Sequence, residues 1–131
     1  MPADLQRITN VATDSSVTQN CLNIGTVEVS HTYSSGGIIG DTDGDKDHQV
    51  KCCVNVGDLV SKKGACLGIS PYGTVVENCY ALSLYNSAGG TVTTLSQLND
   101  KIFWTDALGW DESIWCFDEL DAENGKYPTL R

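Results

Sequence analysis

The chain has 131 residues, the size of one domain that can bury a sizeable core. Hydrophobic residues make up 40% of the sequence, which excludes a disordered tail, and thirteen glycines against three prolines favour strands joined by tight turns. The formal net charge of −9 argues against nucleic acid or an anionic membrane as the main partner, because both bind basic surfaces.

The N-terminus gives no sign of export or of a membrane span. Its first ten residues, MPADLQRITN, have no apolar h-region and no cleavage site, so they are not a signal peptide. No run of about 18 apolar residues occurs anywhere, which predicts no membrane insertion. A repeat begins at about Thr18 without a capping element before it, although stacked repeats need capped ends. We therefore expect a piece of a longer chain rather than a complete cytosolic protein.

A short string recurs three times and defines three repeats. Residues 18–25 read TQNCLNIG, residues 49–57 read QVKCCVNVG, and residues 76–83 read VENCYALS. Apolar residues at alternate positions predict a strand with one largely apolar face in each repeat. Each unit is too short to bury that face alone, so the units must stack.

One cysteine occupies the same place in every repeat, and the column consists of Cys21, Cys53 and Cys79. Such a column is typical of small buried side chains stacked strand on strand. Strict alternation puts the column on the face opposite the apolar one, so burial requires a bend near the preceding residue or a sheet covered on both sides. Free buried thiols are favoured, a disulfide stays open, and a zinc site has little support because no C-x-x-C occurs.

A second string alternates with the first. Residues 36–40 read GGIIG, residues 64–68 read GACLG, and residues 88–90 are an eroded copy. Glycines there permit close backbone approach, as expected at corners between strands.

The acidic stretch at residues 41–47 follows the first Gly-rich string. Carboxylates at alternate positions could bind Ca²⁺, which takes oxygen ligands; the four are Asp41, Asp43, Asp45 and Asp47. An EF-hand requires Gly at its sixth position and Glu at its twelfth, where this stretch has Lys46 and Cys52. The pattern therefore favours a solvated loop over a metal site, and no cofactor is predicted.

Residues 93–131 do not repeat. Thr94 and Gln97 form a capping-box pattern at the start of a helix whose apolar positions would be Leu95, Leu98 and Ile102. Gly109 would end the helix or the turn after it. An apolar strand at residues 114–117, an Asn-Gly turn signal at residues 124–125 and a returning edge strand at residues 127–130 predict a hairpin. We expect this segment to cover the open end of the stack, which would otherwise expose unpaired strand edges.

All three tryptophans, Trp104, Trp110 and Trp115, lie in this segment. Core packing is the favoured role, because Trp is heavily buried on average. An exposed platform of the three rings that binds carbohydrate is the alternative.

The alternation of a GGIIG-type string with an NCxxxG-type string resembles the GLUG-motif repeat of large bacterial surface proteins. These include adhesin-like proteins and the non-catalytic regions of immunoglobulin-A-cleaving metallopeptidases. The resemblance covers residues 15–92; Cys52 stands where the motif usually has Asn, and residues 64–68 and 88–90 depart from its Gly-Gly-aliphatic pattern. The ending LGWDESIWCFDELDAENGKYPTLR resembles the segment that closes many such arrays. The resemblance implies a stack of β-strands, a surface location and no catalytic residues.

We therefore predict an all-β fold: a short parallel β-solenoid of about three rungs in residues 1–92, with a small C-terminal helix-plus-hairpin cap in residues 93–131 of the same structural domain. The predicted function is a non-catalytic structural or adhesive module of a secreted bacterial surface protein, extracellular or at the cell surface as part of a longer chain. Its partner would be a host or matrix protein or a glycan. The alternative is a carbohydrate-binding or accessory module of a larger extracellular hydrolase or peptidase. The ligand and the oligomeric state stay open.

Overall fold

Short strands make up most of the secondary structure. The computed structural model describes residues 16–29, 35–39, 48–61, 66–67, 69, 75–82 and 90–131. The strands of the repeats are β1 (Ser16–Gln19), β2 (Leu22–Asn23), β3 (Val27–Val29), β4 (Ser35–Gly36), β5 (His48–Lys51), β6 (Val54–Asn55), β7 (Leu59–Ser61), β8 (Cys66–Leu67), β9 (Val75–Glu77), β10 (Tyr80–Ala81) and β11 (Thr91–Val92).

Equivalent strands of successive repeats pair side by side, and all of these pairings are parallel. One sheet has the order β9-β5-β1, a second β11-β10-β6-β2, and the pairs β3-β7 and β4-β8 follow the same rule. In the second sheet Leu22 pairs with Val54, and Val54 pairs with Tyr80. The register of the repeats deduced from the sequence is therefore confirmed, and so is a β-rich fold with few short helices.

A bend in left-handed backbone conformation separates the first strand of each repeat from the second. The residues at the bend are Asn20, Cys52 and Asn78, with φ angles of 56°, 52° and 51°. The bend interrupts the alternation of faces, so Val50 and Cys53 pack in the same core cluster although they lie three positions apart. It explains how the cysteine column can be buried beside the apolar face of the preceding strand.

An inner core cluster lies on one side of the strands. Its buried members are Ile39, Val50, Cys53, Ile69, Cys79 and Ala81. Asn55 is 2% exposed, and its Oδ1 accepts hydrogen bonds from Asn23 Nδ2 at 2.8 Å and from Gly57 N at 3.1 Å. The side chain of Asn55 thus links two repeats and holds the turn that follows its own strand.

The C-terminal segment begins with a short helix. Helix α1 (Leu95–Leu98) starts at the N-cap Thr94, whose hydroxyl accepts from Gln97 N at 3.1 Å, so the predicted capping residue is confirmed. A π-helical turn (Phe103–Ala107) follows. The predicted apolar face of the helix is wrong, because only Leu98 is buried while Leu95 and Ile102 are 39% and 63% exposed.

A hairpin ends the chain. Strand β12 (Trp115–Cys116) pairs antiparallel with β13 (Thr129–Leu130), and a 3₁₀ turn (Ala122–Asn124) lies between them. Gly125 closes that turn at a φ of 75°, and Gly109 follows the π-helical turn at 72°. The predicted hairpin and both glycine stops are confirmed, with strands shorter than expected.

The C-terminal segment lies along the flank of the repeats. It forms a second core, the flank cluster, around Val54 of the second repeat, with Leu22 and Tyr80 of the other two packed against it. The buried members from the segment are Leu98, Phe103, Trp104, Leu108, Trp110, Phe117 and Ala122. The segment thus packs against all three repeats, while the expected cover over the open end stays a prediction. The bend directs the apolar column of Leu22, Val54 and Tyr80 outward, and the segment covers this column.

Candidate functional site

Hydrogen bonds attach the C-terminal segment to the bend. Trp110 Nε1 donates to the carbonyl oxygen of Cys52 at 2.9 Å, and Asn78 Nδ2 donates to the carbonyl oxygen of Ala107 at 2.7 Å. Trp104 Nε1 donates to the carbonyl oxygen of Leu98 at 2.9 Å. Both buried indole N–H groups therefore have partners, so the rings can be buried without an unsatisfied donor.

The aromatic rings of the segment form a connected chain inside the flank cluster. The ring of Phe103 meets Tyr80 at 4.9 Å and Trp104 at 5.5 Å, and Trp110 meets Trp104 at 5.0 Å and stacks on Trp115 at 4.3 Å. Trp104 is 0% exposed and Trp110 is 2% exposed, while Trp115 is half-buried. Two of the three rings cannot reach a ligand, so the carbohydrate platform hypothesised from the three tryptophans is not formed. The core-packing role is confirmed for Trp104 and Trp110.

A pocket of about 360 Å³ opens between the C-terminal hairpin and the first repeat. Its lining residues are Ile24, Cys116, Glu119, Gly125, Lys126, Tyr127, Pro128 and Thr129. Exposed Glu119 and Lys126 bring opposite charges to it, and burial raises the pKa of Tyr127, which keeps the phenol protonated. The lining combines apolar surface with a few polar groups, as small-molecule sites do.

This pocket was missed from the sequence. The sequence indicates Tyr127 and Pro128 only as part of a returning strand. Ile24 of the first repeat reaches the pocket because the C-terminal segment packs along the flank of the repeats. Ile24 is 64% exposed and lines the pocket, but the sequence gives no signal for that exposure, because Ile24 continues the alternating apolar pattern of its repeat.

The cysteine column keeps the same geometry in all three repeats. Each sulfur lies near the carbonyl oxygen two residues earlier: Cys21 at 3.4 Å from Gln19, Cys53 at 3.2 Å from Lys51 and Cys79 at 3.3 Å from Glu77. Cys53 and Cys79 are 0% and 1% exposed, whereas Cys21 is exposed. The thiols are free in this structure, and burial of the column is confirmed for its second and third members.

The thiols of the column also shift one another's pKa. The hydrogen bond from Cys53 lowers the pKa of Cys21 to about 7 and lowers the pKa of Cys79, while the same bonds and burial raise the pKa of Cys53 strongly. Cys53 carries one proton and can donate it to one neighbour at a time. Solvent stabilises a thiolate at Cys21 but not at buried Cys79, so Cys21 is the member that ionises.

The weak calcium candidate, Asp41, Asp43, Asp45 and Asp47, lies outside the described residues. Within the described ranges no group of three or more His, Cys, Asp or Glu side chains could hold a metal ion. No helix in that same part of the chain is long and apolar enough to cross a bilayer.

No protein-family model matches the chain, and searches of curated proteins and of solved structures found no significant match. The candidate functions therefore follow from residue chemistry and packing.

Proposed function

We propose that the chain is a non-catalytic structural or adhesive module of a secreted bacterial surface protein, built as a short parallel β-solenoid of the GLUG-repeat type. The C-terminal segment seals its flank. In this proposal the module is extracellular or at the cell surface, within a longer chain, and it contacts a host or matrix protein or a glycan.

The observation that carries the proposal is the in-register stacking of the three repeats. Leu22, Val54 and Tyr80 pair in parallel, and the bend residues before them share one backbone conformation. Such stacking gives a rigid body in which each repeat contacts its neighbours, and its surface can bind an extended partner. The net charge of −9 favours a partner that is not itself acidic.

Binding and turnover can be measured in one experiment. The purified chain is passed over immobilised matrix glycoproteins and a glycan array, and each ligand is analysed by mass spectrometry after incubation. We expect saturable binding to at least one surface, with ligand masses unchanged. Absence of binding would remove the adhesive role and leave the structural one. Shortened glycans or cleaved peptides would overturn the proposal of a non-catalytic module.

The second candidate is a carbohydrate-binding module, and the pocket beside the hairpin is the observation that favours it. Tyr127 supplies part of an aromatic ring, while Glu119 and Lys126 supply hydrogen-bonding groups for hydroxyls. This arrangement suits a neutral sugar residue better than a charged ligand, because a charged ligand would be attracted by one of Glu119 and Lys126 and repelled by the other.

Charge reversal at the pocket tests the second candidate. Glu119→Lys should abolish glycan binding, since it replaces an acceptor by a cation beside Lys126. Glu123→Lys is the matched control, because Glu123 is exposed in the neighbouring 3₁₀ turn and does not line the pocket. Equal glycan binding by the two variants would exclude the pocket as the sugar site.

A further inference from the structure

Two members of the cysteine column differ in solvent access but hold equivalent positions in adjacent repeats, each just before the second strand. Cys21 is exposed and Cys53 is fully buried. Val54 N donates to the carbonyl oxygen of Cys21 at 2.9 Å, which holds the two backbones at the spacing of paired strands. That spacing, about 4.8 Å, lies inside the range of about 4.4–6.8 Å between the Cα atoms of a disulfide.

The side chains of the pair also point the same way. Each sulfur lies over the carbonyl oxygen two residues earlier, and Cys53 Sγ lies 3.8 Å from the carbonyl oxygen of Thr18 in the repeat of Cys21. The neighbouring Cys52 faces the opposite side, since its sulfur accepts from Asn78 Nδ2 at 3.6 Å and packs against the flank cluster. Cys21 and Cys53 therefore combine an accessible sulfur with a buried one aligned beside it.

We propose that Cys21 and Cys53 form a redox-active thiol pair that reduces low-molecular-weight disulfides, R–S–S–R, and closes a disulfide between the first two repeats. Cys21, as thiolate after losing its proton to solvent, attacks one sulfur of R–S–S–R. The Cys21–sulfur bond forms, the S–S bond breaks, and RS⁻ leaves and takes up a proton.

The buried thiol completes the reaction. Cys53 attacks Cys21 Sγ while its proton passes to the leaving sulfur; the Cys21–Cys53 bond forms, the bond between Cys21 and R–S breaks, and a second R–SH leaves. The protein loses two hydrogens and two electrons, and R–S–S–R becomes two R–SH. The order is fixed by access, because the incoming disulfide reaches Cys21 but not Cys53. In the mixed disulfide Cys21 no longer carries a negative charge, so it is a weaker acceptor for the hydrogen bond from the Cys53 thiol. Cys53 can then react more readily.

Glutathione disulfide is the probe for the test. Cys52 and Cys53 fall in one tryptic peptide, so the experiment uses the Cys52→Asn background, in which the peptides of Cys21 and Cys53 carry one cysteine each. Cys66 and Cys79 share a further peptide, in which fragment ions assign a cross-link to one of the two. The chain is incubated with the probe at pH 8, alkylated, digested and mapped by mass spectrometry. We expect loss of two hydrogens and a cross-link between Cys21 and Cys53, with Cys116 still alkylated.

Three variants separate the steps. Cys53→Ser should accumulate glutathione on Cys21 several-fold above its parent, because the second attack is lost. Cys79→Ser should behave like its parent, and Cys21→Ser should stay reduced at Cys53. Far-UV circular dichroism checks that each variant is folded, and Cys53→Ala replaces Cys53→Ser if the hydroxyl is not tolerated. A cross-link between Cys53 and Cys79, an unmodified Cys21, or no accumulation in the Cys53 variants would overturn the proposal.

Discussion

Among single residues, Gly57 has the least room for a side chain. A Cβ atom there would lie 1.9 Å from the carbonyl oxygen of Gly25 in the preceding repeat, and that oxygen belongs to backbone that cannot rotate away. We predict that Gly57→Ala lowers the free energy of unfolding by at least about 2 kcal/mol, because the repeats must separate locally. Gly25→Ala is the control: its nearest atom would be Asn23 Oδ1 at 3.8 Å, an ordinary contact, and a loss below about 1 kcal/mol is expected. Urea denaturation measures both, and equal losses would contradict the stacking distance between these repeats.

Cys52 adopts a left-handed backbone conformation, which costs less for the Asn found at the equivalent position of the other two repeats. It has a φ of 52°, while Asn20 and Asn78 hold the same conformation in the other repeats. Left-handed backbone costs an ordinary side chain about 1–2 kcal/mol and costs Asn less. We predict that Cys52→Asn stabilises the fold by about 0.5–1 kcal/mol and that the reverse change, Asn20→Cys, destabilises it by a similar amount. Thermal unfolding followed by circular dichroism tests both, and a destabilising Cys52→Asn would mean that sulfur packing against the flank cluster outweighs backbone strain.

The ionisation of Cys21 predicts a pH dependence of its reactivity. Its pKa is lowered to about 7 by the hydrogen bond from Cys53, and the thiolate is the reacting form. The rate of alkylation by iodoacetamide should therefore rise with pH through a midpoint near 7 and level off above pH 8. In Cys53→Ala the donor is absent, and the midpoint should move up towards the ordinary thiol range. Rates are measured by mass spectrometry of the peptide that contains Cys21; an unchanged midpoint in the variant would exclude Cys53 as the cause.

At the scale of elements, the repeat register was predictable from sequence. Aligning Cys21, Cys53 and Cys79 also aligns Leu22, Val54 and Tyr80, and the pairing follows that alignment. A bend near the residue before each cysteine was one of two alternatives that the sequence allowed, beside a sheet covered on both sides, and the structure has the bend there. Two of the three residues there are Asn, which tolerates left-handed backbone, but Asn also occurs in turns and strand ends, so the residue type alone does not specify the bend.

The short helix shows why spacing alone misplaced the apolar face. Leu95, Leu98 and Ile102 have helical periodicity, yet α1 ends at Leu98 and the chain widens into the π-helical turn. The wider turn directs Phe103 and Trp104 inward in place of Ile102. Counting apolar residues at α-helical spacing does not detect a change from α-helix to π-helix within a few residues.

Trp110 links the C-terminal segment to the repeats. Its indole N–H donates to Cys52, and its ring stacks on Trp115. We predict that Trp110→Phe costs about 2–3 kcal/mol, because the carbonyl oxygen of Cys52 loses its donor and a gap opens beside Trp104. Trp115→Phe is the comparison: Trp115 is half-buried, and a loss of about 1 kcal/mol or less is expected. Equal losses in chemical denaturation would show that the hydrogen bond to the bend contributes little.

At the scale of the whole molecule, the flank cluster joins the repeats to the C-terminal segment. Val54 is buried among residues of the segment, and all three tryptophans report on that segment. We predict that unfolding followed by Trp fluorescence coincides with unfolding followed by far-UV circular dichroism, which reports mainly on the strands. The flank cluster cannot open without exposing the strands it covers. A fluorescence transition at lower temperature than the strand signal would contradict this joint unfolding and would mean that the segment detaches first.

The placement of the segment was the part of the fold that the sequence left undetermined. Its apolar content predicts that it covers some apolar surface of the repeats, but does not distinguish the open end of the stack from the flank. The choice of flank depends on the outward direction of Leu22, Val54 and Tyr80, which the bend sets. The pocket follows from the same placement, because Ile24 of the first repeat and residues of the hairpin line it together.

The packing of the C-terminal segment along the flank has a consequence for the number of repeats. Stacked repeats usually tolerate duplication or loss of a unit, since each unit contacts only its neighbours. Here a single segment touches all three units through the column of Leu22, Val54 and Tyr80. A unit added by duplication within this array would bring a further apolar residue into that column beyond the reach of the segment. We therefore expect a polar residue at the column position of any unit that the segment does not cover.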